Sequence, residues 1–286
     1  MEGNAFCHGA ATIINGIALG KGAAFGIGLK TSAKVKLTDE PDVFKVTIEG
    51  DESEDQSLAI CCVKEVLKKF GKESDYGAKI RTSSNIPISR GLKSSSAAAN
   101  AIVLAIYNAL GEEYSDMEVI NLGIDAALTA KVSITGAFDD ACAAYFGNVV
   151  VTDNIKREIL RQYSIRERCE VIIHVPKEKI KKTEVDIDRL TGIKDEIKIA
   201  HDLALNKNYI EALRINGLTY GIAMGLNTEI ATKALAAGAI TAGISGTGPA
   251  TVILVEPNKK DDIISVLGDK NKIICTTINS DKAGLE

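Results

Sequence analysis

The 286-residue chain has no tryptophan, and aromatic side chains make up only 5% of it. It also has no excess of positive charge: 34 lysines and arginines stand against 38 aspartates and glutamates, a formal net charge of -4. Nucleic-acid and anionic-membrane binders present a basic face, and single-strand binders interleave it with stacking aromatics. The two shortages therefore argue against those classes. A metal-type arrangement of thiols is missing as well. Cys7, Cys61, Cys62, Cys142, Cys169 and Cys275 are scattered, and Cys61 and Cys62 are neighbours on a predicted helix, where adjacent side chains diverge. With three histidines, none at zinc-like spacing, a structural metal is not expected. The thiols read as reduced and mostly buried, as in a cytoplasmic protein. The opening stretch MEGNAFCHGAATIING lacks the basic region of a signal peptide. One uncharged run, 234–255, is long enough to span a bilayer, but Gly238, Gly243, Gly246, Gly248 and Pro249 divide it into helix, turn and strand. A soluble, cytoplasmic protein is expected.

What is present is an ordinary globular composition, 45% hydrophobic and 25% charged, in a chain suited to one large or two modest domains. VFKVTIEG sets Phe44, Val46 and Ile48 against Lys45 and Thr47, a strand pattern. SLAICCVKEVLKKFG repeats Leu58, Cys62, Val66 and Phe70 at helical spacing and stops at Gly71. AKIRTSSNIP returns to period two and delivers the chain to PISRGLKSSSAAANAIV. There a turn at Gly91 is expected to feed a thin helix over about 95–110. SDME at Ser115–Glu118 is a capping box for a helix running towards Lys131. ITGAFDDACAAYFGNVVV is expected to break helix, carrying its acids on a loop before a strand near Val149–Val151. The charged TDNIKRE suggests a boundary near Thr152, between an N-terminal domain of residues 1–152 and a C-terminal domain of residues 153–286. CEVIIHVP then reads as a strand ended by Pro176, followed by helices to about Gly238, a strand at TVILV, a helix at KKDDIISVLG and a last strand at KIICTTI. There are no internal repeats or low-complexity tails. The mixed order predicts an α+β protein of two joined lobes.

Two segments share one composition. In GLKSSSAAA, serines suit a helix start and alanines keep the helix thin, so unpaired amides and the positive end of the helix dipole face outward. These are the requirements of an anion site. In GISGTGPATVILV, Gly243, Gly246 and Gly248 permit close backbone approach and Pro249 stiffens the exit. Together they point to a phosphate ligand, yet the familiar nucleotide signatures fail. GIALGKG is too short for a P-loop and has no Ser or Thr after Lys21. GTGPAT lacks the third glycine of a dinucleotide fingerprint and precedes a strand. TGAFDDACAA places Asp139 and Asp140 between Phe138 and a small apolar run; paired acids on a loop are ordinarily solvated, but this setting favours acids held to accept a proton or hold magnesium.

These segments carry a resemblance. PISRGLKSSSAAA resembles the second motif, Pro-x-x-x-Gly-Leu-x-Ser-Ser-Ala, of the GHMP kinase superfamily, named for galactokinase, homoserine kinase, mevalonate kinase and phosphomevalonate kinase. GISGTGPA is similar to its third motif, GAFDDA sits where those kinases carry an acidic catalytic loop, and HGAATIINGIALGKGAAFGIGLKTSAKV corresponds to the first. The combination of GKGAAFGI, GLKSSSAAANA and TGAFDDA most closely resembles the archaeal shikimate kinase family.

The resemblance implies a two-lobed α+β GHMP kinase fold. Its N-terminal lobe would be ribosomal protein S5 domain 2-like and its C-terminal lobe ferredoxin-like, with ATP and acceptor between them. It implies that Pro87, Ile88, Ser89, Arg90, Gly91, Leu92, Lys93, Ser94, Ser95, Ser96 and Ala97 bind ATP, the amides of 91–97 wrapping its phosphates, and that Ser245, Gly246 and Thr247 shape the site from the other lobe. Ser95 falls at the magnesium-contacting hydroxyl, with Ser94 and Ser96 as close alternatives. Asp139 aligns with the catalytic aspartate, and Asp140 is near enough to exchange roles with it or to complete the metal shell. One departure is plain: where related kinases offer magnesium a helix glutamate, AALTAKVS offers Leu128 and Thr129. Lys21 and Arg90 stand as contacts for a substrate carboxylate or a phosphate, against an ordinary surface role. Lys93, beside the phosphate loop, is intermediate. His8 reads as a hydrogen-bonded core residue more readily than as a ligand, and Asn15 either meets a substrate hydroxyl or caps a turn. The implied reaction is Mg2+- and ATP-dependent phosphorylation of the shikimate 3-hydroxyl to shikimate 3-phosphate in aromatic amino-acid biosynthesis. Homoserine kinase is the nearest alternative, and a catalytically silent binding protein on the same fold is the rival from another class. The expected partners are shikimate and ATP, with no nucleic acid or membrane, and a homodimer is compatible with the reading.

Overall fold

Glu2–Ile14 (β1) and Lys21–Thr38 (β2) form a long antiparallel hairpin whose turn half shows no alternation. The reason is burial on both faces. Gly3, Ala5 and Cys7 alternate with more exposed neighbours, but from Gly9 to Ile14 every residue is buried, so period two vanishes. The computed structural model describes residues 1–50, 54–133, 135–165, 167–178, 180 and 187–286. Within them the hairpin is the spine of a seven-stranded sheet. Phe44–Ile48 (β3) runs parallel to Gly77–Ser84 (β4), and β4 pairs with the far half of β2. The near half of β2, Lys21 to Phe25, pairs with Val149–Asp153 (β5), which turns into Glu158–Tyr163 (β6).

Four helices cover this sheet: Ser57–Lys69 (α1), Ser94–Leu110 (α2), Asp116–Thr129 (α3) and Phe138–Phe146 (α4). Helix α1 ends where expected, with Gly71 at φ 63 just beyond its last turn. The capping box of α3 is present in both directions between Ser115 and Glu118. Helix α2 is buried almost all round, against β1, β2 and the other three helices, which is why its sequence is alanine-rich instead of amphipathic. One expectation is overturned: the segment with the paired acids is not a loop. It forms α4, and Asp139 and Asp140 lie in its first turn.

The second sheet consists of Glu170–His174 (β7), Thr241–Ile244 (β8), Thr251–Val255 (β9) and Ile273–Thr276 (β10), in the antiparallel order β10-β7-β9-β8. Lys194–Leu205 (α5), Tyr209–Ala223 (α6) and Glu229–Ala236 (α7) lie between β7 and β8, and Lys260–Leu267 (α8) lies between β9 and β10. This is the ferredoxin-like order of strands and crossovers. Ile172, Ile253 and Val255 pack into a core of their own with α7 and α8, whereas Val171, Ile173, Val252 and Leu254 join the core that continues under β1. The second sheet is thus buried on both faces, one of them in the core that α5 and α6 share with the first lobe. Residues 1–152 and 153–286 do not separate the two sheets. TDNIKRE is the tip of the β5–β6 hairpin, and Gly284–Leu285 (β11) returns to pair with β1. All six cysteines are free, but only Cys7, Cys62 and Cys142 are buried. No helix among the described residues is long and apolar enough to cross a membrane.

Candidate active site

Helix α2 begins from a residue in an unusual conformation. Lys93, at the N-cap, has φ 64 and ψ 29, in the left-handed region, and its side chain does not cap the helix. Ser94, Ser95 and Ser96 therefore occupy the first helical positions, one step inside the cap where serine usually sits. Helix geometry leaves their amides without intrahelical acceptors, while Ala97 N donates to Lys93 O at 3.0 Å. In front of this end lies a cavity of about 550 Å3. Ile88, Ser89, Gly91, Lys93, Ser94, Ser95 and Thr247 line it, and Ile48, Leu58, Ala98 and Ile102 supply an apolar floor. Pro87, Arg90, Leu92, Ser96, Ala97, Ser245 and Gly246 do not line this cavity. Leu92 and Ala97 are core residues, and the Arg90 guanidinium donates to the carbonyls of Pro176 (2.9 Å) and Lys177 (2.6 Å), fastening the loop to the second lobe.

The three glycine-containing segments are tied together by buried and half-buried hydrogen bonds. Ser245 Oγ accepts from Thr12 N (3.0 Å) and donates to Gly91 O (2.7 Å), while Gly246 N donates to Thr12 Oγ1 (2.8 Å). Gly91, at φ 81, has no room for a side chain, because a Cβ would overlap the Ser245 carbonyl oxygen. Its smallness serves loop-on-loop packing as well as the turn. Asn15 donates from Nδ2 to Gly246 O (2.9 Å) and accepts from Ile17 N at Oδ1 (3.0 Å), so it caps a turn and also fastens the third segment. Asn216 on α6 accepts from Asn15 N (2.9 Å).

A second cavity, of about 30 Å3, adjoins the first. Asn15, Asp139, Asp140 and Asn154 line it, and Lys93 and Thr247 line both cavities. Helix α4 also starts from a left-handed residue, Ala137 at φ 48, so the N-termini of α2 and α4 meet here. Asp139 is only 3% exposed. Asn154 holds it at two points, donating from Nδ2 to Asp139 Oδ1 (2.8 Å) and accepting from Asp139 N at Oδ1 (3.1 Å). Asn154 is itself fixed by Thr152 Oγ1 (2.7 Å) and by its own amide on Gly20 O (2.8 Å). The helix N-terminus favours the ionised carboxylate. Asp140 forms a buried ion pair with Lys93, Nζ to Oδ1 2.8 Å. Lys21 is exposed and lines neither cavity, although its neighbour Gly22 backs directly onto the Asp139 carboxylate. His8 also lies outside both cavities, and burial pulls its imidazole below the usual range.

Sequence reasoning missed Thr12, Asn216 and Asn154. The first two sit in segments with no polar pattern, and Asn154 sits in the charged stretch read as a boundary. The only signal for Asn154 was its place directly after a buried strand, VVVTD.

A left-handed lead into an alanine-rich helix, a cavity over its first amides and a clamped aspartate at the adjoining helix start are the geometry of a small-molecule kinase, and the chain belongs to the GHMP kinase family. The family model described as "GHMP kinases N terminal domain" matches residues 57–148. Among curated proteins, the chain is 44% identical over 265 residues to the shikimate kinase of Methanothrix thermoacetophila, covering 92% of this chain and 89% of that one. It is 38% identical to the shikimate kinase of Pyrococcus furiosus, covering 91% and 94%. Among solved structures, Methanococcus jannaschii mevalonate kinase superposes with a TM-score of 0.76 at 18% identity, covering 98% of both chains. Homoserine kinase from Cytophaga hutchinsonii superposes with 0.76 at 15%, covering 100% and 97%. The last two likenesses concern the fold.

Proposed function

We propose that the protein is a shikimate kinase, transferring the γ-phosphoryl group of ATP to the 3-hydroxyl of shikimate. Relatives bearing that name, from 37% to 44% identical over most of the chain, support the acceptor. The observation that carries the chemistry is the clamped Asp139 carboxylate in a small cavity that shares a wall with the cavity over α2.

ATP fits the large cavity. The α2 amides of Ser94, Ser95 and Ser96 need acceptors, the helix dipole favours phosphate oxygens, and the apolar floor suits a base. Magnesium would enter with the nucleotide and would offset phosphate charge, the protein supplying few of its ligands. Ser95, lining the large cavity, is the protein oxygen suited to it. Asp140 suits it less, because a buried ammonium already occupies Oδ1, and no group of three His, Cys, Asp or Glu among the described residues could hold a metal.

In the transfer, the acceptor oxygen bonds to the γ-phosphorus as the bond from that phosphorus to the β-phosphate oxygen breaks. ADP leaves and the hydroxyl proton passes to Asp139. The chain's contribution is positioning and charge stabilisation, the usual basis of phosphoryl transfer. A cavity of about 30 Å3 holds about one water, so its walls part to admit a ring acid.

A coupled ADP-release assay with shikimate, homoserine, mevalonate and galactose tests the assignment. Turnover is expected with shikimate alone, one ADP per shikimate 3-phosphate; preferential turnover of homoserine would overturn it.

A further inference from the structure

Lys93 and Thr247 are the described residues that line both cavities. Lys131 also lines the larger one, but among the described residues Lys93 is the one cation lining both. Its side chain is 4% exposed and that of Asp140 is 6% exposed. Gly246 stands behind it, where a Cβ would come within 2.9 Å of Nζ, so the third glycine segment leaves space for the ammonium.

Three features argue that this pair is not there for stability alone. A buried ion pair costs desolvation that its own attraction seldom repays. A lysine at the N-cap sets positive charge at the positive end of a helix dipole, where structure alone would prefer an acid or a hydroxyl. The left-handed backbone of Lys93 is disfavoured for any residue with a Cβ, and such strain gathers at functional positions. All three costs fall on a residue that lines both cavities and whose ammonium is held by Asp140, which lines the smaller one.

Resting on the kinase reading above, we propose that Lys93 is a catalytic residue whose ammonium stabilises the γ-phosphoryl group as it passes from the nucleotide cavity to the acceptor cavity. Asp140 is the positioning residue that holds that ammonium, and it acts neither as base nor as metal ligand. Lys93 exchanges no proton: the new oxygen–phosphorus bond forms to the acceptor, the old one to ADP breaks, and the hydroxyl proton goes to Asp139. Asp140 keeps the ammonium from folding back against the ADP phosphates once the phosphoryl group has left.

The test uses the full chain. Lys93→Met is expected to lower kcat at least 100-fold, to change the KM for shikimate less than threefold, and to narrow the ratio of ATP to ADP affinity measured by calorimetry. Asp140→Asn is expected to lower kcat about tenfold or more with the same narrowing, and Asp140→Glu to recover part of it. Should Lys93→Met fail to fold because it strands a buried carboxylate, the double variant Lys93→Met/Asp140→Leu removes both charges and is expected to show the same kcat loss and the same narrowing. A folded variant with kcat within threefold of the parent and an unchanged ATP-to-ADP ratio overturns the proposal. So does a rise confined to the shikimate KM, which would make Lys93 the contact for the acceptor's carboxylate. A parent enzyme inactive on shikimate would instead overturn the kinase reading, and the affinity ratio would still test the phosphate contact.

Discussion

Asp139 and Asp140 are adjacent acids of one type, yet their surroundings give them different work. The neutral amide of Asn154 holds Asp139 at two points and fixes its direction. Asp140 is held by an ammonium. Asp140, whose Oδ1 is engaged by the Lys93 ammonium, is poorly placed to accept a proton. Asp139→Asn preserves shape and can still accept from Asn154. It is expected to reduce kcat by roughly 10²–10⁴-fold while ATP affinity, read by calorimetry, stays within about threefold of the parent. Loss of ATP binding in a folded variant would assign Asp139 to the metal instead.

Among the elements, helix α2 and the turn before it depend most on contacts with distant chain. Gly91 touches the Ser245 carbonyl, and Arg90 O accepts from Ala250 N at 3.2 Å, so the loop before α2 takes its shape from the second lobe. Gly91→Ala combines a disfavoured positive φ with a steric overlap. It is expected to destabilise the protein by about 2–6 kcal/mol, the sum of typical strain and overpacking costs, and to weaken nucleotide binding. Urea denaturation reads the first effect, and an unshifted midpoint would contradict the contact. Helix α3, by contrast, carries its start signal within four residues, and its capping box needs no distant partner.

For the molecule as a whole, the two lobes share a core, and the chain's end is tied into the first sheet. Glu286 N donates to Asn4 O at 3.0 Å, and its carboxylate meets Lys30 at 2.9 Å. All three histidines, His8, His174 and His201, lie below their usual value of 6.5, with burial the largest cause in each. A folded-state value below the unfolded one means that the unfolded chain binds protons first. Stability is therefore full above about pH 6.5 and falls as pH drops through the depressed values. The lowered glutamates (Glu2, Glu118, Glu229 and Glu286) start from 4.5 and act only further into acid. Urea midpoints are expected to decrease between pH 7 and pH 5, and a flat profile over that interval would contradict the histidine assignment.

The sequence by itself determined the features that near neighbours encode. Helix α1 and its stop at Gly71, the capping box at Ser115, the strand of Phe44–Ile48, and the order of the glycine-containing segments all follow from local propensity and periodicity. The motif order was enough to identify the kinase family and the two-lobed α+β fold. Only the tertiary structure decided where charges meet and which strands hide. Burial on both faces erased the alternation in the turn half of the β1–β2 hairpin, and the paired acids lie in the first turn of a helix where a loop was expected. The Lys93–Asp140 pair, the Asn154 clamp and the bond from Thr12 to Ser245, 233 residues away along the chain, arise from chain reversals that bring distant segments within hydrogen-bond reach. Local pattern cannot encode such meetings, because no periodicity relates the partners. They depend on how the two lobes close on each other.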